Sequence, residues 1–137
     1  MKDEILVGKF KFWVNSNIIH CRTLEDFDAI DFDKNIQQAF LETITSLSQD
    51  RYMPLMIDVQ NLSFSNVFKT FRFFVGNSEI NRVILSKTFL VNSLLLNTIL
   101  TGYTFLKEPF FPITIFNNPK RALTNCTKIN KVFNAIG

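Results

Sequence analysis

A run of apolar residues at positions 53–59, MPLMIDV, constrains the fold of this chain more than any other stretch. A strand with one face in water alternates apolar and polar residues, whereas near-continuous apolarity indicates burial on both faces, as in parallel strands. Pro54 stands at the entrance of the run, where the backbone donor that proline lacks matters least. The run therefore predicts a strand inside a mainly parallel sheet.

A segment with a helical period precedes this run. Positions 33–49 place their apolar residues on one helical stripe, formed by Ile36, Phe40, Ile44 and Leu47. Asp31 or Asp33 can cap the start of this helix, because a carboxylate oxygen accepts hydrogen bonds from the unpaired amides of a first turn.

The second half of the chain repeats the alternation. Positions 65–75 predict a helix that stops at Gly76, and positions 83–91 predict a strand. Asn92 or Ser93 then caps a helix that carries Leu95, Leu96, Ile99, Tyr103 and Leu106. After a short strand at 113–116, Asn118 and Pro119 supply an N-cap and a first-turn proline for a last helix.

The N-terminal region predicts an antiparallel hairpin. Positions 9–14 alternate apolar and polar residues, NSN at 15–17 has turn chemistry, and a strand-like segment returns at 18–22. A chain of 137 residues is long enough for one domain with its own core. The expected fold is an α/β single domain over residues 1–137, with a mainly parallel sheet, an N-terminal antiparallel hairpin and about four helices.

Composition and charge argue against several classes of protein. The net charge of +3 is small and the Lys and Arg residues form no dense run, so we expect no nucleic-acid partner. Cys21 and Cys126 lie far apart without a CxxC pattern, which indicates buried, reduced thiols. The N-terminus lacks signal-peptide features and the apolar region at 88–106 is interrupted by polar residues, so the expected compartment is the cytoplasm.

Four stretches together carry a resemblance to a known family. They are the N-terminal hairpin, PLMID at 54–58, VILSKTFLV at 83–91 and PITIFNNPKRAL at 112–123. In this order they resemble the STAS superfamily, and more closely the bacterial STAS/SEC14-like domains of the anti-sigma-factor antagonist-like fold. The resemblance covers nearly the whole chain and implies a binding module, because none of these motifs is catalytic.

Asp58, Ser63 and Ser65 are the candidate site residues after the predicted central strand. In the phosphorylatable STAS regulators that the chain resembles, an Asp at this point is closely followed by a Ser that a partner kinase phosphorylates. Here the two serines are displaced and the loop has no glycine. A phosphate on Ser63 or Ser65 would lie at the positive end of a helix dipole, whereas the alternative is a serine that only caps the helix.

The sequence predicts no catalytic constellation, no metal site and no cofactor. Asp58 has no second carboxylate or histidine near it in sequence, so we expect it to accept backbone amides in its loop. His20 is the single histidine and points away from the thiol of Cys21 on the same strand. An enzyme would require Asp58, Ser63 or Lys87 gathered in one cleft.

Aromatic and basic residues in VFKTFRFF, at 67–74, form the remaining candidate surface. Four phenylalanines within seven positions cannot all face one core stripe. Phe68 and Phe73 therefore either pack beneath a neighbouring loop or stay exposed beside Lys69 and Arg72. If exposed, this surface would contact a protein partner or a lipid.

These observations favour a non-enzymatic regulatory or protein-binding module that acts through residues 58–74. Its expected partner is a regulator, a kinase or a second copy of the chain. The alternative is a small apolar-ligand or lipid-binding domain of the SEC14-like kind, which requires an enclosed apolar cavity.

Overall fold

A computed structural model of the chain describes residues 4–26, 32–107 and 111–136. Within these residues the elements, in chain order, are β1 (Ile5–Val7), β2 (Phe10–Asn15), β3 (Ile18–Thr23), α1 (Lys34–Ser48), β4 (Met53–Asp58), α2 (Phe64–Val75), α3 (Ser78–Asn81), β5 (Ile84–Leu90), α4 (Leu94–Lys107), β6 (Ile113–Phe116) and α5 (Pro119–Ile136). The predicted α/β class is confirmed.

The strands form one sheet in the order β1-β2-β3-β4-β5-β6. The first three strands pair antiparallel, and β3 to β6 pair parallel. The apolar run at 53–59 contains β4, which lies between two parallel neighbours and is buried along most of its length. The predictions of an N-terminal hairpin and a mainly parallel sheet are therefore confirmed.

The hairpin turn follows from two residues that tolerate left-handed backbone. Ser16 and Asn17 have φ values of 54° and 61°, and they connect the paired residues Asn15 and Ile18. Two central residues with positive φ twist in the same sense as the strands they join. The turn chemistry at 15–17 thus sets the register of the first two long strands.

Two short elements were not predicted from the sequence. Strand β1 has three residues, and Gly8, with a φ of 59°, turns the chain from it into β2. Helix α3 has four residues and begins at Asn77, whose side chain accepts from the amide of Ile80 at 3.0 Å. Both are too short to show a period, and with α3 the described residues contain five helices where about four were expected.

The predicted helix starts are confirmed at three positions. Asp33 accepts from the Ile36 amide at 2.9 Å, Ser93 accepts from the Leu96 amide, and Asn118 accepts from the Arg121 amide, the latter two at 3.1 Å. Asp31, the alternative cap for α1, lies outside the described residues.

One side of the sheet packs against α1, α2 and α4 through aromatic rings. Phe40 of α1 is fully buried, and its ring lies 5.1 Å from the rings of both Phe10 and Phe12 of β2. Phe71 of α2 lies 4.8 Å from Phe89 of β5. Aromatic pairs at these distances add stabilisation to the burial of their area, so this side is the apolar core of the protein.

Helix α5 covers the other side of β4, β5 and β6 with more polar contacts. The Asn125 amide donates to the hydroxyls of Thr88 and Thr114, at 3.3 and 3.0 Å, and these two hydroxyls lie 3.1 Å apart. Ala122 and Cys126 of the same helix are fully buried beside them. None of the helices in the described part of the chain is long and apolar enough to cross a membrane.

Candidate functional site

The loop after β4 begins with Asp58 at the carboxyl edge of the parallel strands. One Asp58 oxygen accepts from the amide of Gln60 at 3.0 Å, and the other lies 3.5 Å from Nε of Arg22. The side chain of Arg22 is half exposed, so this ion pair contributes little to stability. The carboxylate thus accepts a backbone amide, the role expected from the sequence.

Three hydrogen bonds hold the backbone of this loop in place. The amide of Val59 donates to the carbonyl of Leu90 at 3.0 Å. The side chain of Asn61 donates to the carbonyl of Thr23 at 3.0 Å, and that of Asn92 donates to the carbonyl of Gln60 at 3.1 Å. The loop is therefore a rigid rim joined to the ends of β3 and β5.

Ser63 and Ser65 are both exposed on this rim. Ser63 is the N-cap residue of α2 by its backbone, but its hydroxyl makes no capping hydrogen bond. The capping function expected of a serine here is therefore not performed by the Ser63 side chain. Both hydroxyls are open to a modifying enzyme.

The aromatic and basic residues of α2 divide between its inner and outer sides. Phe68 is half-buried, with its ring edge-on to Tyr103 of α4 at 5.7 Å, and Phe73 is stacked on Phe32 at 4.5 Å. Lys69 and Arg72 are exposed, and the Arg72 guanidinium lies 5.9 Å from the Phe68 ring. The rings thus pack mainly within the protein, while the two cations face solvent.

Helix α4 carries several exposed apolar residues that the sequence did not single out as a candidate surface. Leu95, Ile99 and Leu106 are 66%, 41% and 82% exposed. Leu96 and Leu100 face the core instead. We define the α4 outer face as the exposed residues Leu94, Leu95, Thr98, Ile99, Gly102, Phe105 and Leu106.

Two signals in the sequence could have identified this surface. Positions 94–106, LLLNTILTGYTFL, hold no Asp, Glu, Lys, Arg or His, and they hold more apolar residues than one buried stripe needs. Phe64, the first residue of α2, is also 54% exposed. Since α2 packs against α4, their outer sides adjoin.

The three residues named for an enzyme do not come together. Lys87 pairs in register with Leu55, and Asp58 pairs with Leu90, so the two side chains leave opposite sides of the sheet. Lys87 is fully buried on the side of α2, where its ammonium donates to the carbonyl of Phe74 and lies 5.2 Å from the Phe111 ring. This buried cation lies at the C-terminal end of α2, where the helix dipole favours positive charge.

His20 and the two cysteines have perturbed acid–base properties. The imidazole is stacked on Trp13 with ring centroids 4.9 Å apart, and burial lowers the pKa of His20. Burial raises the pKa of Cys21 well above its usual value, and the charge of Asp58 adds to this effect. Burial also raises the pKa of Cys126, so both free cysteines are protonated thiols at neutral pH.

The described residues contain no group of three His, Cys, Asp or Glu side chains that could hold a metal ion. A cleft of about 460 Å³ at the start of α5 is lined by apolar as well as basic groups, among them Phe116, Asn118, Lys120, Arg121 and Lys128. The cleft opens to solvent, whereas a lipid carrier encloses its ligand in an apolar cavity.

Comparison with known families shows which family this chain matches. The family model described as a domain of unknown function, DUF7793, matches residues 12–129, a span that contains β3 to β6 and helices α1 to α4 in full. No functionally curated protein matches the sequence.

Proposed function

This chain belongs to the DUF7793 family, and we propose that it is a non-enzymatic protein-binding module of STAS/SEC14-like architecture. The observation that carries the proposal is the α4 outer face. Of its members, Leu94, Leu95, Phe105 and Leu106 are each more than 60% exposed, in a helix without charge between positions 94 and 106. Contiguous apolar surface of this kind marks protein or lipid contact sites.

The adjoining surface of α2 complements this apolar face. Exposed Lys69 and Arg72 add positive charge, and Phe64 extends the apolar area to the carboxyl edge of the sheet. A protein partner that combines apolar and acidic side chains would match both helices. The binding surface proposed here therefore includes the expected segment 58–74 and extends it to α4.

Ser63 and Ser65 provide a means of regulating such contacts. Both hydroxyls are exposed within the same rim as Phe64, at the N-terminus of α2. A phosphate there would accept from first-turn amides and reverse the local charge. Intact mass of the protein from its native cells tests this: a gain of one phosphate is expected, and an unmodified mass under all growth conditions contradicts it.

Affinity capture from the native cells tests the proposed function. We expect the wild type to retain a specific protein partner, a second copy of the chain included, and the Leu95→Lys variant to lose it. Val132→Lys is the matched control, because Val132 is 54% exposed on α5, away from the proposed surface. An identical set of retained proteins for all three would contradict the proposal.

The alternative function is binding to an apolar ligand or a lipid. The same α4 outer face, with Lys69 and Arg72 beside it, favours a bilayer that contains anionic lipids. Co-sedimentation with anionic vesicles that is lost in Leu95→Lys would support this alternative. We prefer protein binding because positions 94–106 of α4 hold no Lys or Arg, whereas helices that lie on anionic bilayers are rich in them.

A further inference from the structure

The exposed apolar residues of α4 are arranged symmetrically along the helix. Leu94 and Leu95 lie near its start, while Phe105 and Leu106 lie near its end. The two pairs are equidistant from position 100 and, at a rise of 1.5 Å per residue, about 16 Å apart. Between them the outer face carries only Thr98, Ile99 and Gly102.

Gly102 has no evident purpose within a single copy. Apart from its two chain neighbours and the backbone of its own helix, a Cβ atom at this position would meet no atom of the described residues within 4 Å. Glycine inside a helix is destabilising relative to alanine, and no packing within the described residues supplies a reason for it here. Close approach of a second helix over the middle of α4 is such a reason.

We infer that a second copy of this chain covers the α4 outer face, with the two α4 helices antiparallel about a two-fold axis near position 100. This inference rests on the proposed function and names its partner. In this register, Leu95 of one copy packs against Phe105 of the other, and Leu94 packs against Leu106. Thr98 of one copy crosses Gly102 of the other, where small side chains allow the backbones to come close.

Charge and symmetry favour a second copy over an unrelated partner. A covering surface must lack charge, because an unpaired charge buried against apolar residues is costly. It must also contact the large residues at both ends of the face while it approaches Thr98 and Gly102 closely. The same face of a second copy meets both conditions, since a two-fold axis pairs each end of α4 with the opposite end.

Sedimentation equilibrium of the full chain tests the pairing. We expect a dimer for the wild type, and a dissociation constant raised by about 100-fold in Leu95→Lys and in Phe105→Glu, because each change places two buried charges in the dimer. Val132→Lys on α5 is expected to dimerise as the wild type does. A wild type that is monomeric at all concentrations would overturn the inference.

Mixing variants tests the register. An equimolar mixture of Leu95→Lys and Phe105→Glu should recover dimers, because one end then joins opposite charges and the other end keeps the native Leu95–Phe105 contact. A mixture of Leu95→Lys and Leu94→Glu should not recover them, since antiparallel helices hold these positions about 16 Å apart. Recovery in the second mixture alone would overturn the antiparallel arrangement.

The outcomes separate this inference from the proposed function. If the wild type is monomeric but loses a different protein partner on Leu95→Lys, the self-pairing fails and the protein-binding function stands. If the wild type is monomeric and the same substitution abolishes vesicle binding alone, both fail. Dimers that persist in Leu95→Lys would place the interface elsewhere on the chain and overturn the self-pairing.

Discussion

The two sides of the sheet differ in what lies inside and outside their helices. On the side of α1, α2 and α4, phenylalanine rings fill the interior and the exposed part of α4 is also apolar. On the side of α5, an amide and two hydroxyls hydrogen-bond inside, and the helix carries Lys120, Arg121, Lys128 and Lys131 with no acidic residue. The exposed side of α5 mixes these cations with apolar residues such as Leu123 and Val132, whereas the α4 outer face is uncharged and gains more stability from a covering partner.

The two sides of the sheet also differ in whether their lysines are buried or exposed. The one lysine found fully buried in the described part of the chain, Lys87, lies in the apolar layer, where the carbonyl end of α2 accepts its hydrogen bond. The lysines of α5 remain in water. A polar group in the apolar layer must therefore be hydrogen-bonded. Substitutions in this layer should change the free energy of unfolding more than substitutions on α5.

The largest effect is expected in the aromatic core. Phe40→Ala should lower the free energy of unfolding by about 4 kcal/mol, because it removes a fully buried ring and leaves a cavity among its neighbours. Urea denaturation measures this change. Leu123→Ala on α5, where the side chain is 44% exposed, is the control and should change stability by less than about 0.5 kcal/mol.

Lys87 and Lys128 provide a comparison within one residue type. Lys87→Ala should cost about 3 kcal/mol, because it removes a buried stem and leaves the Phe74 carbonyl without this donor. Lys128→Ala, at an exposed position on α5, should cost less than about 0.5 kcal/mol. Equal losses in the two variants, measured by urea denaturation, would show that the sides of the sheet do not differ as described.

Loss of one hydrogen bond in the loop after β4 should lower the stability of the protein. Asp58→Ala should lower the free energy of unfolding by about 1 kcal/mol, because the Gln60 amide loses its acceptor. Asp58→Asn keeps an oxygen acceptor and should recover most of this loss. If Asp58→Asn is as unstable as Asp58→Ala, then Asp58 stabilises the protein through its charge and its ion pair with Arg22, and not through the hydrogen bond to Gln60.

The smallest effect concerns pH and the Trp13–His20 stack on the side of the sheet where α5 lies. Burial lowers the pKa of His20 in the folded protein, so the unfolded chain binds more protons as pH falls below about 6.5. The contribution of the neutral His20 imidazole to stability is therefore fully present above that pH. It is lost as the pH falls towards the pKa that His20 has in the folded protein. In His20→Phe, the fall in stability between pH 7.5 and pH 5 should be smaller; an unchanged fall would contradict this assignment.

The fold was predictable where a segment had one clear period or one clear stop signal. The apolar run at β4, the turn at Ser16 and Asn17, and the caps at Asp33 and Asn118 each depend on local chemistry that the sequence displays. The short β1 and α3 depend on neighbours that a single segment does not reveal. Pairing with β2, for example, is what makes Ile5–Val7 a strand.

The candidate surface was less predictable, because α4 is apolar on several sides. Positions 94, 95 and 96 are all leucine, so the sequence pattern does not indicate that Leu96 is buried and its two neighbours are exposed. Helix α2 was easier, since Lys69 and Arg72 mark its outer side. Charged residues indicate which side of a helix faces water. In a helix without charge, the exposed side becomes visible only in the folded structure.

Thiol labelling compares the two sides most directly. Thr98 on α4 and Thr127 on α5 are both exposed and both donate to the carbonyl four residues earlier, at 3.0 Å, while the native thiols are buried and react slowly. If a second copy covers α4, the labelling rate of Thr98→Cys should fall as protein concentration rises, and that of Thr127→Cys should stay constant. A labelling rate of Thr98→Cys that stays constant as protein concentration rises would show that the α4 outer face remains uncovered.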